Sequence, residues 1–289
     1  GIMRTLNFTV TQEWVGVTLK VFLRSYCQLS ARLLTKQKRI PMGLTINGEH
    51  GKANDLLKAG DLVCVNLPAC QPHIEPVELP LSIMYEDVDL LVIEKAYAMP
   101  VYPTAGHDRD SLANALQYYY KTQGLQLGFY PVYRLDKDTS GLMVIAKHGY
   151  AAARLSKAIT KEYTAVCEGV LTGQGTICAP IALKPGYTIQ REVVPGGQFA
   201  VTHWRAIAQT NRYTLLRISL ETGRTHQIRV HFAHLGYPLA GDDMYGGSLT
   251  DISRQALCCS KVQFAHPVMG KAMEFTAALP GDIQALMQL

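Results

Sequence analysis

Tyr133-Arg134-Leu135-Asp136-Lys137-Asp138-Thr139-Ser140-Gly141-Leu142-Met143-Val144-Ile145-Ala146-Lys147 sets a carboxylate in a short polar loop and follows it at once with an apolar run. Leu142 to Ala146 has the length and composition of a strand buried on both faces. Such a strand anchors the loop before it to the core. Asp136, fixed at a strand entrance with Arg134 close by, is therefore a candidate nucleophile or acid/base group. The plainer alternative is a solvated turn, since Asp, Thr, Ser and Gly all favour turns. The choice depends on what else the chain carries.

Two further motifs bear on it. Glu221-Thr222-Gly223-Arg224-Thr225-His226-Gln227-Ile228-Arg229-Val230-His231 reads as a strand end, a polar turn and a helix start. Backbone N–H groups at a helix start, beside Arg224 and Arg229, suit an anionic partner, either a phosphate or a buried carboxylate. A guanidinium pins a carboxylate well because its planar fork reaches both oxygens. Lys161-Glu162-Tyr163-Thr164-Ala165 opens a strand after a helix. Tyr163 there offers a ring to a base and a hydroxyl to a proton; taken alone it reads as a core tyrosine. The Gly-rich stretch from Leu235 to Gly246 reads as structural.

The 289 residues allow two domains, and 48% hydrophobic content allows a substantial core. No apolar run approaches the ~20 residues of a membrane-spanning helix. No signal-peptide pattern opens the chain, Gly1-Ile2 ahead of Met3 is set aside as a remnant of preparation, and the cytosol is the expected compartment. Seven cysteines without a Cys-x-x-Cys pair argue against a disulfide framework or a structural zinc site and for buried, reduced thiols. His231 and His234 share a helical face, but no acidic or cysteine pattern completes a metal site. Asp136 with Asp138 does not make a glycosidase pair, because side chains two apart at a strand entrance diverge.

The net charge of +5 is mild, but its distribution is not. From Trp14 to Gly48 there is no Asp or Glu, while Lys20, Arg24, Arg32, Lys36, Lys38 and Arg39 all fall there. A region of one sign is a footprint for phosphates. The same region predicts helices over Thr18–Tyr26 and Ser30–Ile40, the second capped by Ser30 with Leu33, Leu34 and Ile40 turned inward. Strand-like runs follow around Asn47-Gly48, a strong tight-turn signal. Pro68, Pro72, Pro76 and Pro80 then mark a linker. Beyond it the pattern predicts strands at Leu90–Ile93, Leu142–Ala146, Tyr163–Cys167, Tyr213–Leu220, Val262–Phe264 and Met273–Thr276. Helices are predicted at Ser111–Tyr120 (Asp110 as cap), Tyr150–Ile159, Ile228–Leu235 ended by Gly236, and Asp282–Leu289.

With these motifs in this order, the chain resembles the RluA-type pseudouridine synthases, which isomerise uridine in RNA. Arg134-Leu135-Asp136 with Thr139-Ser140-Gly141 resembles the family's catalytic loop. Lys161-Glu162-Tyr163 resembles its tyrosine motif, and Gly223-Arg224-Thr225-His226-Gln227-Ile228-Arg229 its arginine motif. The resemblance runs from about Leu81 to the C-terminus, and the N-terminal part is similar to an S4-type RNA-binding domain. It departs at Tyr133, where the family usually has His, at Lys95-Ala96-Tyr97-Ala98 in place of Lys-Pro-x-Gly, and at Tyr102-Pro103 in place of His-Pro.

The resemblance implies an α+β protein: a pseudouridine synthase fold with a mixed, largely antiparallel sheet flanked by helices and loops, plus a small S4-like α/β domain. It implies boundaries at 1–67, 68–80 (linker) and 81–289. It implies Asp136, Tyr163 and Arg224 as catalytic residues, with Arg224 pairing with and orienting Asp136, and Tyr163 as stacking platform and candidate base. Arg134, Thr139, His226, Arg229, Arg32, Lys36 and Arg39 are the implied substrate-binding set. The isomerisation is redox-neutral, so no cofactor or metal is expected. The implied partner is RNA, ribosomal first and transfer RNA second, with no membrane and a monomeric state. The competing reading is an inactive RNA-binding or ribosome-assembly protein.

Overall fold

The computed structural model describes residues 1–288. Near the N-terminus, β1 (Ile2–Thr9), β2 (Leu44–Ile46), β3 (Glu49–His50) and β4 (Leu62–Pro68) pair in the order β1-β4-β2-β3. Asn47 and Gly48 both adopt positive φ in the turn between β2 and β3, as that dipeptide predicts. α1 (Leu19–Val21) continues as a wider π-type stretch, Phe22–Tyr26. α2 (Ala31–Lys38) starts at Ser30, whose hydroxyl accepts from Leu33 N at 3.1 Å. Leu6, Leu19, Phe22, Leu23, Leu34, Val63 and Val65 form a core under this sheet. The charged groups of α2 and its end, Arg32, Lys36 and Arg39, are exposed.

The rest of the chain builds a large sheet around a second core. Its strands are β5 (Ser82–Glu86), β6 (Leu90–Lys95), β7 (Tyr130–Pro131), β8 (Ser140–Ala146), β9 (Thr160–Glu168), β10 (Gln174–Cys178), β13 (Val201–Gln209), β14 (Tyr213–Leu220), β15 (Leu257–Ala265) and β16 (Ala272–Thr276); a separate hairpin pairs β11 (Ile181–Leu183) with β12 (Arg191–Val193). The main path runs β10-β13-β14-β9-β15-β8-β6-β5, with β16 on β15 and β7 on β8. Every pairing is antiparallel except β15 with β8. α3 (Leu112–Thr122), α4 (Gly149–Ala158), α5 (Gln227–His234) and α6 (Gly281–Leu286) complete it. The protein is thus mixed α+β and rich in sheet, as expected. Among the described residues no helix is long and apolar enough to cross a membrane.

β8 is buried along its whole length, between β6 and β15, so the apolar run that follows Asp136 does occupy the middle of the sheet. Gly141 makes this possible. Its φ is +120°, and a Cβ there would lie 2.3 Å from the Cys259 carbonyl oxygen and 2.5 Å from Cys259 N. Only glycine admits β15 that closely. The main differences from the sequence reading lie elsewhere. Ser111, not Asp110, caps α3, through a reciprocal capping box with Asn114. The α6 helix ends at Leu286, and the expected final residue, Leu289, lies outside the described residues. β10 to β12 went unread because they are short and separated by Gly and Pro, and β13 because polar side chains alternate irregularly with its apolar ones. Ile2, set aside in the sequence, pairs with Pro68. All seven thiols are free, and Cys178 is exposed rather than buried.

Candidate active site

The Tyr133–Thr139 loop is fastened from several sides before it enters β8. Leu135 is buried, and Tyr133 donates its hydroxyl to Leu142 O at 2.5 Å. Thr139 N closes a turn on Asp136 O at 3.0 Å. Lys95, at the end of β6, is fully buried and donates to Ala96 O, Met99 O and Lys137 O at 2.8, 2.8 and 2.9 Å. Burial pushes its pKa down to about 7, with Asp138 and Asp136 opposing; three carbonyl acceptors call for the three protons of the ammonium. Arg254 donates to Asp138 O and Ser140 Oγ, and Gln255 to the Thr139 hydroxyl. Thr139 is buried and committed to the loop, so the substrate-contacting role expected for it is corrected to a structural one.

Asp136 emerges from this loop with its side chain 31% exposed and accepts from Arg229 Nη1 at 3.2 Å. Arg229 itself is buried. Its Nε and Nη2 form a bidentate pair with Asp242 at 2.9 Å each, and its guanidinium lies 5.1 Å from the Tyr245 ring centre. Burial disfavours both of those charges. It pushes the Asp242 carboxyl up against the pull of Arg229; the Arg229 pKa nevertheless rises, because Asp242 and then Asp136 outweigh its own desolvation. The guanidinium is therefore fixed from behind by one buried carboxylate and presents its remaining edge to the accessible one.

This corrects the expected partner. Arg224 does not pair with Asp136: its Nε donates to Phe199 O at 2.8 Å, and its backbone N donates to Gln227 Oε1. Arg229, expected to bind substrate, is the residue spent on Asp136. The turn explains the exchange. His226 caps α5 in a left-handed conformation, φ +57° and ψ +21°, which redirects the chain between the two arginines. Side chains in the first helical turn lean toward the N-terminus, so Arg229 reaches the loop while Arg224 stays outside the helix. Gln227 holds the turn through Val201 O and the Thr202 and Thr222 hydroxyls.

His226 stands beside the carboxylate, Nε2 at 4.0 Å from Asp136 Oδ1. Its Nδ1 is 2.7 Å from the Tyr245 hydroxyl, which also accepts from Arg191 N at 2.9 Å. The tyrosine proton then goes to Nδ1, and the neutral ring turns its Nε2–H toward Asp136. Burial lowers the His226 pKa to about 4, with Asp136 opposing and Arg229 and Arg191 assisting, so the ring is neutral at neutral pH.

Tyr163, on β9, is buried, and its pKa is raised well above the usual value by burial and by the neighbouring Cys259 and Asp136. It keeps its proton at neutral pH, which speaks against the expected role as a base. Arg134 is exposed and lies over Tyr102 at 5.0 Å, while Arg32, Lys36 and Arg39 belong to the N-terminal body, outside this cluster. His231 is structural, its nitrogens on Thr202 Oγ1 and Ala179 O. Sequence reasoning missed Asp242 and Tyr245, both inside the Gly-rich stretch read as structural. The available signal was donor arithmetic: a buried guanidinium has more donors than one carboxylate accepts.

Comparison with known proteins places the chain in a family. Residues 89–234 match the family model described as RNA pseudouridylate synthase. The chain is 42% identical over 270 residues to the uncharacterized RNA pseudouridine synthase YjbO of Bacillus subtilis, covering 90% of this chain and 95% of that one. It is 43% identical over 235 residues to the ribosomal large subunit pseudouridine synthase D of Pasteurella multocida, covering 75% and 72%. With the protein of the same description from Escherichia coli K12 it shares 36% over 305 residues, covering 98% and 94%. Among solved structures, human RNA pseudouridylate synthase domain containing 4 superposes with a TM-score of 0.58 at 21% identity, over 72% of this chain and 93% of that one, a likeness of fold.

Proposed function

Because this chain belongs to the RNA pseudouridylate synthase family, we propose that Asp136 is the reactive carboxylate with which it isomerises uridine in large-subunit ribosomal RNA. The reaction breaks the C1′–N1 bond, turns the uracil and joins C5 to C1′. Atoms and electrons balance within the nucleoside, so the protein has to supply position, charge and a proton path. The observation that carries the reading is the Asp136–Arg229–Asp242 arrangement. It presents one accessible carboxylate, aimed by a guanidinium that is itself immobilised.

In this reading Arg229 orients Asp136 toward the sugar and base of the target nucleotide. The Tyr163 ring forms a wall against the uracil, and His226 offers an N–H on the same side. The nucleotide leaves its stack to enter, because a stacked base hides the atoms that react. Arg134 and the basic groups Arg32, Lys36 and Arg39, on an N-terminal body read as S4-like, hold backbone phosphates. The large-subunit target is supported by relatives described as ribosomal large subunit pseudouridine synthase D.

Asp136→Asn keeps the shape of the site and removes its reactivity. The expected result is loss of pseudouridine formation in large-subunit RNA, mapped at single-nucleotide resolution, with RNA affinity nearly unchanged. A fully active Asp136→Asn protein would overturn the proposal.

A further inference from the structure

The N-terminal body is fastened to the large sheet by buried polar contacts that the chemistry above does not use. Arg4, on β1, reaches Asp89 in the turn between β5 and β6, with Nε to Oδ1 at 2.8 Å and Nη2 to Oδ2 at 3.1 Å. Asp89 is 2% exposed and also receives His148 Nε2 at 2.8 Å. His148 Nδ1 accepts from Ala151 N as the cap of α4, so Nε2 carries the proton that Asp89 receives. Two residues on, the Tyr150 hydroxyl donates to Cys27 O at 2.6 Å, and its ring meets Phe8 edge-on. Tyr150 belongs to the N-terminal core although α4 carries it.

The Pro-rich connection is held as well. Cys70 N donates to Gln126 O and Val77 N to Asn114 O, while Asn114 Nδ2 donates to Glu75 O. It runs along α3 rather than swinging free. His148 follows β8, the strand that begins just after the Asp136 loop. Seven strand residues span roughly 20 Å, so the clamp and the reactive carboxylate lie at opposite ends of one rigid strand.

We propose that Arg4, Asp89, His148 and Tyr150 lock the N-terminal body to the catalytic sheet as a single RNA-reading unit. The protein then selects a folded RNA that offers phosphates to α2 at a set separation from the target uridine. This rests on the reading of Asp136 given above. These four are positioning residues: they act on substrate choice by holding α2 in place, since preorganising two contact sites avoids the cost of ordering them on binding.

The test pairs Arg4→Gln with Tyr150→Phe, which removes three hydrogen bonds across the junction and leaves Asp89 with His148. Small-angle scattering should fit one compact arrangement for the native chain and a spread of arrangements for the double variant. On folded large-subunit RNA its KM should rise about tenfold, with kcat within about twofold. On a stem-loop too short to reach α2, KM should not change. A native chain that already samples many arrangements, a double variant that stays compact, or a KM rise equal on both RNAs would overturn the lock. If the native chain forms pseudouridine in neither RNA, the functional reading fails instead, and scattering still decides the lock.

Discussion

Arg229 divides its guanidinium between two carboxylates of different standing. Asp242, 1% exposed, takes the bidentate fork, and accessible Asp136 takes the remaining edge. A lysine carries the charge but not the fork. Arg229→Lys should therefore lower unfolding free energy by about 3 kcal/mol in urea titration and reduce kcat by about a hundredfold or more. Arg224→Ala should leave kcat within a few-fold, since its guanidinium rests on the Phe199 carbonyl. The reverse ranking would move the orienting role back to Arg224. Ala98 is a second residue whose chemistry conflicts with its place. It sits at φ +66°, beside the Lys95 anchor, where a Cβ is unfavourable. Ala98→Gly should stabilise by about 0.5–1 kcal/mol, the steric relief exceeding the added freedom of the unfolded chain; thermal unfolding would register it. That Asp136 would be held at a strand entrance was legible from the residues around it. Which arginine holds it was not, because Arg224 and Arg229 are chemically equal and the left-handed turn at His226 separates them.

At the scale of elements, the site depends on β8 lying against β15. Gly141 faces Cys259 across the parallel pair, and any side chain there meets backbone that has no room to move. Gly141→Ala should cost about 3 kcal/mol or more, seen as a lower urea midpoint, and should shift the Asp136 loop enough to depress kcat as well. β8, β9, β14, β15, α2 and α5 were all readable, since their apolar runs or caps are local signals. β10 to β13 were not. β10 to β12 are only five, three and three residues long, with Gly and Pro between them, and β13 mixes polar and charged residues with its apolar ones, so no clear apolar run marks them. That hidden segment carries Arg191, whose backbone N–H helps set the His226 tautomer through Tyr245.

At the scale of the whole molecule, buried titrating groups shape stability against pH. His226 is held at about 4 against an ordinary 6.5. Between those values the unfolded chain binds a proton that the folded chain refuses. Its contribution is therefore complete above about pH 6.5 and declines as pH falls toward 4. His226→Gln should flatten the stability–pH slope in that window relative to the native chain, as urea titrations at several pH values would reveal. An unchanged slope would mean that the ring is not shielded as the structure has it. Asp89 acts in the same sense but at lower pH, its contribution fading only as pH falls below the ordinary carboxylate value. Burial opposes its charge, but bonds from His148 and Arg4 hold it well below the usual carboxylate range. The junction therefore stays charged and closed until strongly acid pH.

The chain alone specified the periodic elements, the one-signed basic segment and the placing of Asp136 at the entrance of a buried strand, because each is written in neighbouring residues. The association of Arg229 with Asp136, the support from Asp242 and the clamp through Asp89 join positions 93, 13 and 85 residues apart. Contacts of that kind arise when strands and turns pack in three dimensions. Spacing along the chain carries no record of them, so the fold had to be seen before the right arginine could be named.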